Sequence, residues 1–395
     1  MNPRLFVCLG MSLCAGVASA QVPVETDATA KTVHTTPDPA AYVYVSSTPK
    51  NSSVNEVFGY SAASNGTLTP VSGSPFSADV TTMAVNGKYL FGASTNNVDV
   101  DAYYIESNGA LQLWEETDVM KSNPNDAGYN GPLFLDHSGQ TLYEMQFEAN
   151  EDNNQYSSFG VVKSDGALTY LGSDETGNWI SQAATFIGND KYAYVVGCDG
   201  DMYWEVAGFQ RASNGLLGSI SGFSYKLPTP KSGDFYCPAE VAADPTNHLA
   251  MVLQPVNNEK FTADGGAQIG SFTVASNGSI SSTNTSADMP VSEVGTVLSI
   301  NMAPSGKLVG VGGSGGLQIF NFDGANVPTK NTGLLTTASI GQIFWDNDNH
   351  LFAISQASGE LFVFTITPTS HEEAAGSPHA IVGAQDVIVQ PLPLQ

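Results

Sequence analysis

Groups able to do chemistry are sparse in this 395-residue chain, which has 38 Asp and Glu against 13 Lys and Arg, six histidines and four cysteines. The densest group is acidic. Glu148, Glu151 and Asp152 fall in one segment and Asp199 and Asp201 in another, with Trp179, Tyr203 and Trp204 nearby, Asp174 and Glu175 between them, and an asparagine-rich stretch at 123–130. Carboxylates and asparagines are the oxygen ligands Ca²⁺ prefers, and several loops can supply them without a fixed spacing. Aromatic faces beside carboxylates also suit a sugar, which stacks on the ring and hydrogen-bonds through its hydroxyls. The five carboxylates are therefore the candidate ligands of a divalent cation, and Trp179, Tyr203 and Trp204 the candidate ligand-binding residues. A solvated acidic rim is the alternative that requires neither.

Other reactive patterns are missing. His34 lies near the N-terminus, while His137, His248 and His350 recur in the same kind of turn and read as turn residues. His371 falls near an outer strand, and His379 is the one histidine expected on an upper loop. No two are spaced as zinc ligands. No Gly-x-Ser-x-Gly elbow offers a serine nucleophile. The run at 310–316 (GVGGSGG) lacks the lysine and following helix of a phosphate loop and reads as a tight hairpin.

The elements that must position these groups are announced by a tripeptide written five times: Ser64-Asn65-Gly66, Ser107-Asn108-Gly109, Ser164-Asp165-Gly166, Ser213-Asn214-Gly215 and Ser276-Asn277-Gly278. Asn-Gly and Asp-Gly accept the positive φ of a tight hairpin, so each copy joins two strands of a repeated unit. A second joint recurs upstream, for example at 86–90, 138–142, 189–193, 246–249, 305–308 and 348–351. Around these joints four strands fit per unit. First strands are expected at 80–85, 131–136, 180–187, 238–244, 297–303 and 340–346, and second strands at 42–47, 89–94, 141–147, 192–198, 249–254, 308–313 and 351–356. Third strands include 98–106, 267–275, 316–323 and 360–366. Fourth strands read as the weakest, as suits a polar outer edge. The missing first strand is 385–389, which would pair with 42–47 and close a ring. Gly73-Ser74-Pro75-Phe76 and Gly376-Ser377-Pro378-His379 occupy matching places in neighbouring units. The reading is all-β: a seven-bladed β-propeller of four-stranded antiparallel blades over 41–395, with a row of immunoglobulin-like sandwiches as the alternative.

Residues 1–20 have the charge, apolar stretch and small-residue site of a secretory leader, and 21–40 read as a flexible lead-in. The expectation is an exported monomer, periplasmic or extracellular, with no membrane-spanning segment. Losing Arg4 with the leader takes the formal charge from −25 to −26, which excludes a nucleic-acid partner by repulsion. Cys198 and Cys237 then remain, either as one disulfide or as two buried thiols.

Tyr42-Val43-Tyr44-Val45, the third strands followed by Ser-Asn-Gly-x-Leu, the string at 71–76 (VSGSPF) and Ala303-Pro304-Ser305-Gly306-Lys307-Leu308 resemble the lactonase-type seven-bladed propellers, the family of 6-phosphogluconolactonase and carboxymuconate-cyclase relatives. The resemblance spans 41–391. It implies the same fold and, for members with lactone chemistry, His, Arg and Glu about the central opening. None of these carries over. Arg211, the one arginine left after the leader, precedes a tripeptide turn, and Gly128-Tyr129-Asn130-Gly131-Pro132 has no histidine before the third blade. The first functional reading is thus a binding or interaction module for a small molecule, a glycan, a metal ion or an envelope protein. The alternative is a hydrolase acting on an uncharged lactone, its water activated by an upper-face carboxylate, with or without a divalent cation.

Overall fold

The computed structural model describes residues 39–49, 55–119, 130–147, 154–177, 182–198, 204–231 and 233–393. These residues build seven antiparallel blades. Blade 1 orders its main strands, from the axis outward, Ala384–Pro391, Ala41–Ser47, Glu56–Ala62 and Leu68–Pro70. The C-terminal strand is therefore the innermost one, and Val387 stands opposite Val45 and Ile388 opposite Tyr44. The two ends of the propeller close the ring as the repeat count requires.

Blade 2 runs Val80–Val85, Tyr89–Ser94, Asp99–Ile105, Leu111–Asp118, and blade 3 runs Asn130–Leu135, Thr141–Phe147, Asn154–Val161, Leu168–Gly177. Blade 4 is Thr185–Phe186, Tyr192–Cys198, Trp204–Arg211, Leu217–Ser219, and blade 5 is Asp234–Ala243, His248–Asn257, Gln268–Val274, Ile280–Ser281. Blade 6 is Val297–Met302, Leu308–Gly313, Gly316–Asn321, Thr329–Thr336, and blade 7 is Gln342–Trp345, His350–Ser355, Glu360–Ile366, His371–Glu373. Two expectations need correction. Blade 4 keeps only two residues of the first strand read at 180–187. The outer strands of blades 2, 3 and 6 are long, because they pair along most of their neighbours' length.

Each sheet packs on both faces, so its inner strands are apolar without alternation; all seven residues of Ala41–Ser47 are buried. The core accordingly divides into seven clusters, one at each blade-to-blade interface.

The tripeptides do more than turn the chain. Gly66, Gly109, Gly166, Gly215 and Gly278 all have positive φ, between 78° and 99°, and the Asn or Asp side chain before each accepts the amide two residues on. Tyrosines of the preceding blade then donate to carbonyls of these turns: Tyr42 to Ser107 and Tyr44 to Gly109, Tyr89 to Ser164, Tyr143 to Gly215, Tyr192 to Ser276 and Tyr194 to Gly278, at 2.7–2.9 Å. The matching Gly-Ser-Pro strings are equivalent too. Ser74 accepts the Gly59 amide as Ser377 accepts that of Val363, and both serines precede a cis proline.

Candidate functional site

By connectivity, the tripeptides and the joints between first and second strands share the lower face. The upper face carries the loops between second and third strands and the links between blades. First strands surround the axis. Consecutive ones touch in blades 1–2, 2–3, 4–5, 5–6, 6–7 and 7–1, and Phe134 meets Phe186 between blades 3 and 4, with ring centroids 6.3 Å apart.

Among the described residues, two carboxylates stand on this axial wall with raised pKa values. Glu240 lies in the inner strand of blade 5, just past a bulge between Pro238 and Glu240. Its carboxyl is pushed up to about 8 by burial, since a charge in poorly solvated surroundings is disfavoured. Only a neutral donor reaches it. Gln182, which leads into the inner strand of blade 4, donates Nε2 to Glu240 Oε1 and to the Ala239 carbonyl, each at 3.0 Å. Tyr156 of blade 3 fixes Gln182 in turn, donating its hydroxyl to the Gln182 carbonyl at 2.6 Å. Three consecutive blades thus hold one protonatable oxygen pair, and Glu240 keeps part of its surface accessible.

Asp386 is the second, on the inner strand of blade 1. Burial raises it to about 7, against the opposing effect of two amide donors. Those donors are Met83 N of blade 2 at 2.7 Å and Val387 N at 2.8 Å. With both oxygens occupied, Asp386 seals the exposed inner edge of the neighbouring sheet. Asp101, pushed up to about 6 by burial and by Glu116, sits on the third strand of blade 2, off the axial wall.

Cationic groups are elsewhere. Arg211 donates to Asp136 at 2.5 Å and to Tyr143 and Thr141 at 3.2 Å, between the lower joints of blades 3 and 4. His137 meets Asp190 at 2.5 Å. His248 and His350 each face the aspartate four residues earlier, Asp244 at 3.3 Å and Asp346 at 2.6 Å. The histidines expected to fill turns are therefore carboxylate-bound anchors of the lower face. His379 is corrected from an upper loop to a short outer strand, His379–Ala380, with its ring against Tyr60.

Glu148, Glu151, Asp152, Trp179, Asp199, Asp201 and Tyr203 lie outside the described residues, as do the side chains of Trp204 and Cys198. Asp174 and Glu175 belong to the outer strand of blade 3 rather than to the rim, and Asp174 accepts the Ser219 hydroxyl of blade 4 at 2.7 Å. Cys237 sits inside the first strand of blade 5, not ahead of it, and is disulfide-bonded. Among the described residues no three His, Cys, Asp or Glu are grouped to hold a metal ion, and no helix is long and apolar enough to cross a membrane. Glu240 and Asp386 are not among the residues that clustering in the sequence singles out; each is an acid on an inner strand among mostly apolar neighbours.

An axial ring of seven four-stranded blades, closed by the terminal strand, defines a seven-bladed β-propeller. Solved structures with this fold include the periplasmic gluconolactonase of Pseudomonas aeruginosa, 15% identical, covering 89% of this chain and 99% of its own, with a TM-score of 0.64. A candidate 6-phosphogluconolactonase from Bacteroides fragilis is 13% identical over 90% of this chain and 99% of its own, TM-score 0.65. A hypothetical selenium-binding protein from Sulfolobus tokodaii is also similar, 7% identical over 90% and 94%, TM-score 0.59. At these identities the likeness is one of fold. No protein-family profile and no curated protein matches the chain.

Proposed function

We propose that this protein hydrolyses an uncharged lactone at the upper end of the axial channel, with Glu240 as the general base. The observation that carries the reading is Glu240 itself, a carboxyl raised to about 8 on the axial wall, held by neutral Gln182 and Tyr156. A carboxylate of that basicity is well matched to deprotonating water near neutral pH. In the reaction the ionised Glu240 takes a proton from water as its oxygen attacks the lactone carbonyl. The tetrahedral intermediate then collapses with cleavage of the ring C–O bond, and the proton returns to the leaving alkoxide, giving the hydroxy acid. The solved gluconolactonase of the same fold supports the reaction class, and the chain's net charge of −25 argues for a neutral substrate. The leader-like 1–20 segment supports an activity outside the cytoplasm.

The test is turnover of a lactone panel across pH. The rate constant kcat/KM is expected to rise with pH and level off above about 8, where Glu240 is ionised. Glu240→Gln is expected to lower it on the order of a hundredfold. Full activity in that variant rejects the assignment, and glycan binding without any turnover favours the binding module instead.

A further inference from the structure

Among the described residues, the upper face of blades 5 to 7 presents apolar side chains that bear on the class of substrate. Four large apolar side chains are strongly exposed there: Phe261 (53%), Val291 (45%), Leu298 (41%) and Val382 (70%). Phe261 lies in the upper loop of blade 5, Val291 in the link from blade 5 to 6, Leu298 on the inner strand of blade 6 and Val382 in the link from blade 7 to 1. They belong to blades 5 and 6 and to the links that leave blades 5 and 7. Exposed apolar groups beside a site are the signature of a binding surface.

Leu298 ties this arc to Glu240. The inner strands of blades 5 and 6 carry the same bulge. In blade 5 the register shifts between Pro238 and Glu240, and in blade 6 between Val297 and Ser299. Counting up the second strands, Glu240 opposite Val252 and Ser299 opposite Gly312 stand at the same height. Leu298 is the bulged residue, released from the ladder one position above that level on the adjacent strand. The loop above it is only Ser314-Gly315, so nothing from its own blade covers it. The cations of this sector are largely spent: Lys231 is 3.0 Å from Asp264, and Lys330 meets Glu293 at 2.5 Å. Among its described residues only Lys226, on the outer edge of blade 5, and Lys260 lack a carboxylate partner, too little to hold a phosphorylated or carboxylated lactone.

We infer that the substrate is an alkyl-substituted lactone, its ring at Glu240 and its chain laid over Leu298 toward Val291 and Val382; this rests on the hydrolase reading above. The experiment compares δ-decanolactone, δ-valerolactone and glucono-δ-lactone on the full chain. Since burying methylenes in an apolar site is worth about tenfold or more, kcat/KM for δ-decanolactone is expected to exceed that for δ-valerolactone by about that factor. Leu298→Asn is expected to collapse the ratio toward one. A ratio near one in the unsubstituted protein, a ratio unmoved by Leu298→Asn, or preference for glucono-δ-lactone overturns the inference and leaves the hydrolase reading standing. Absence of turnover on every lactone overturns the hydrolase reading instead. Calorimetry with δ-decanolactone then decides the apolar mouth: binding lost in Leu298→Asn upholds it, and no binding overturns it.

Discussion

On the lower face, Asp136, Asp190, Asp244 and Asp346 each face a guanidinium or an imidazole, from the next blade's joint or from four residues along. On the axial wall, Glu240 and Asp386 receive only amide N–H groups. Both regions bury carboxylates, yet their partners differ in kind. A cationic partner keeps an acid ionised and makes it a rivet. A neutral partner lets burial raise the acid toward neutrality, where it can exchange a proton. The same side chain is structural or reactive according to the charge of what touches it.

Removing the rivet is the strongest way to break this contrast. Asp136 is fully buried and Arg211 largely so; Arg211→Met is expected to cost about 3 kcal/mol or more, because it strands a buried charge. Urea denaturation measures this, and a loss below about 0.5 kcal/mol, the size expected of a surface pair, erases the distinction. Next comes pH. Glu240 and Asp386 have folded values raised to about 8 and about 7, so their stabilisation is complete below the ordinary carboxylate range and is lost as pH rises through those values. Thermal melts are expected to fall between about pH 5 and 8, with a shallower fall in Glu240→Gln. A flat profile refutes the assignment of uncompensated acids. The smallest effect belongs to His137, more than half exposed beside Asp190. Its pKa is raised first by the hydrogen bond it donates to Asp190, so its contribution is present below the unfolded histidine value and disappears as pH rises past the folded one. His137→Ala is expected to cost less than about 1 kcal/mol at acidic pH and nothing measurable in alkali.

Much of the architecture is legible in the residues themselves. Asn65-Gly66 and its four copies demand a backbone that only a hairpin offers, and second strands such as Tyr89–Ser94, Thr141–Phe147 and Leu308–Gly313 fall where the turns place them. Even the pairing of Val387 with Val45 follows from counting one first strand too few. The site was less legible. Glu240 sits in a strand that the sequence identifies, but its raised pKa comes from burial within the ring, and its partner Gln182, with Tyr156 behind it, is far away in sequence. The acids at 148–152 stand out in the sequence because they cluster along the chain. A lone acid acquires its chemistry from neighbours in space.

The tyrosine-to-turn bonds have a consequence for how such a molecule can change. Tyr89 addresses the main chain of the following unit, and the turn at Gly215 offers the unit before it the carbonyl that Tyr143 uses. Each copy therefore brings a plug for its successor and a socket for its predecessor. Across blades 1 to 5 the units are interchangeable at their seams, so gain or loss of a whole repeat leaves compatible fittings on either side.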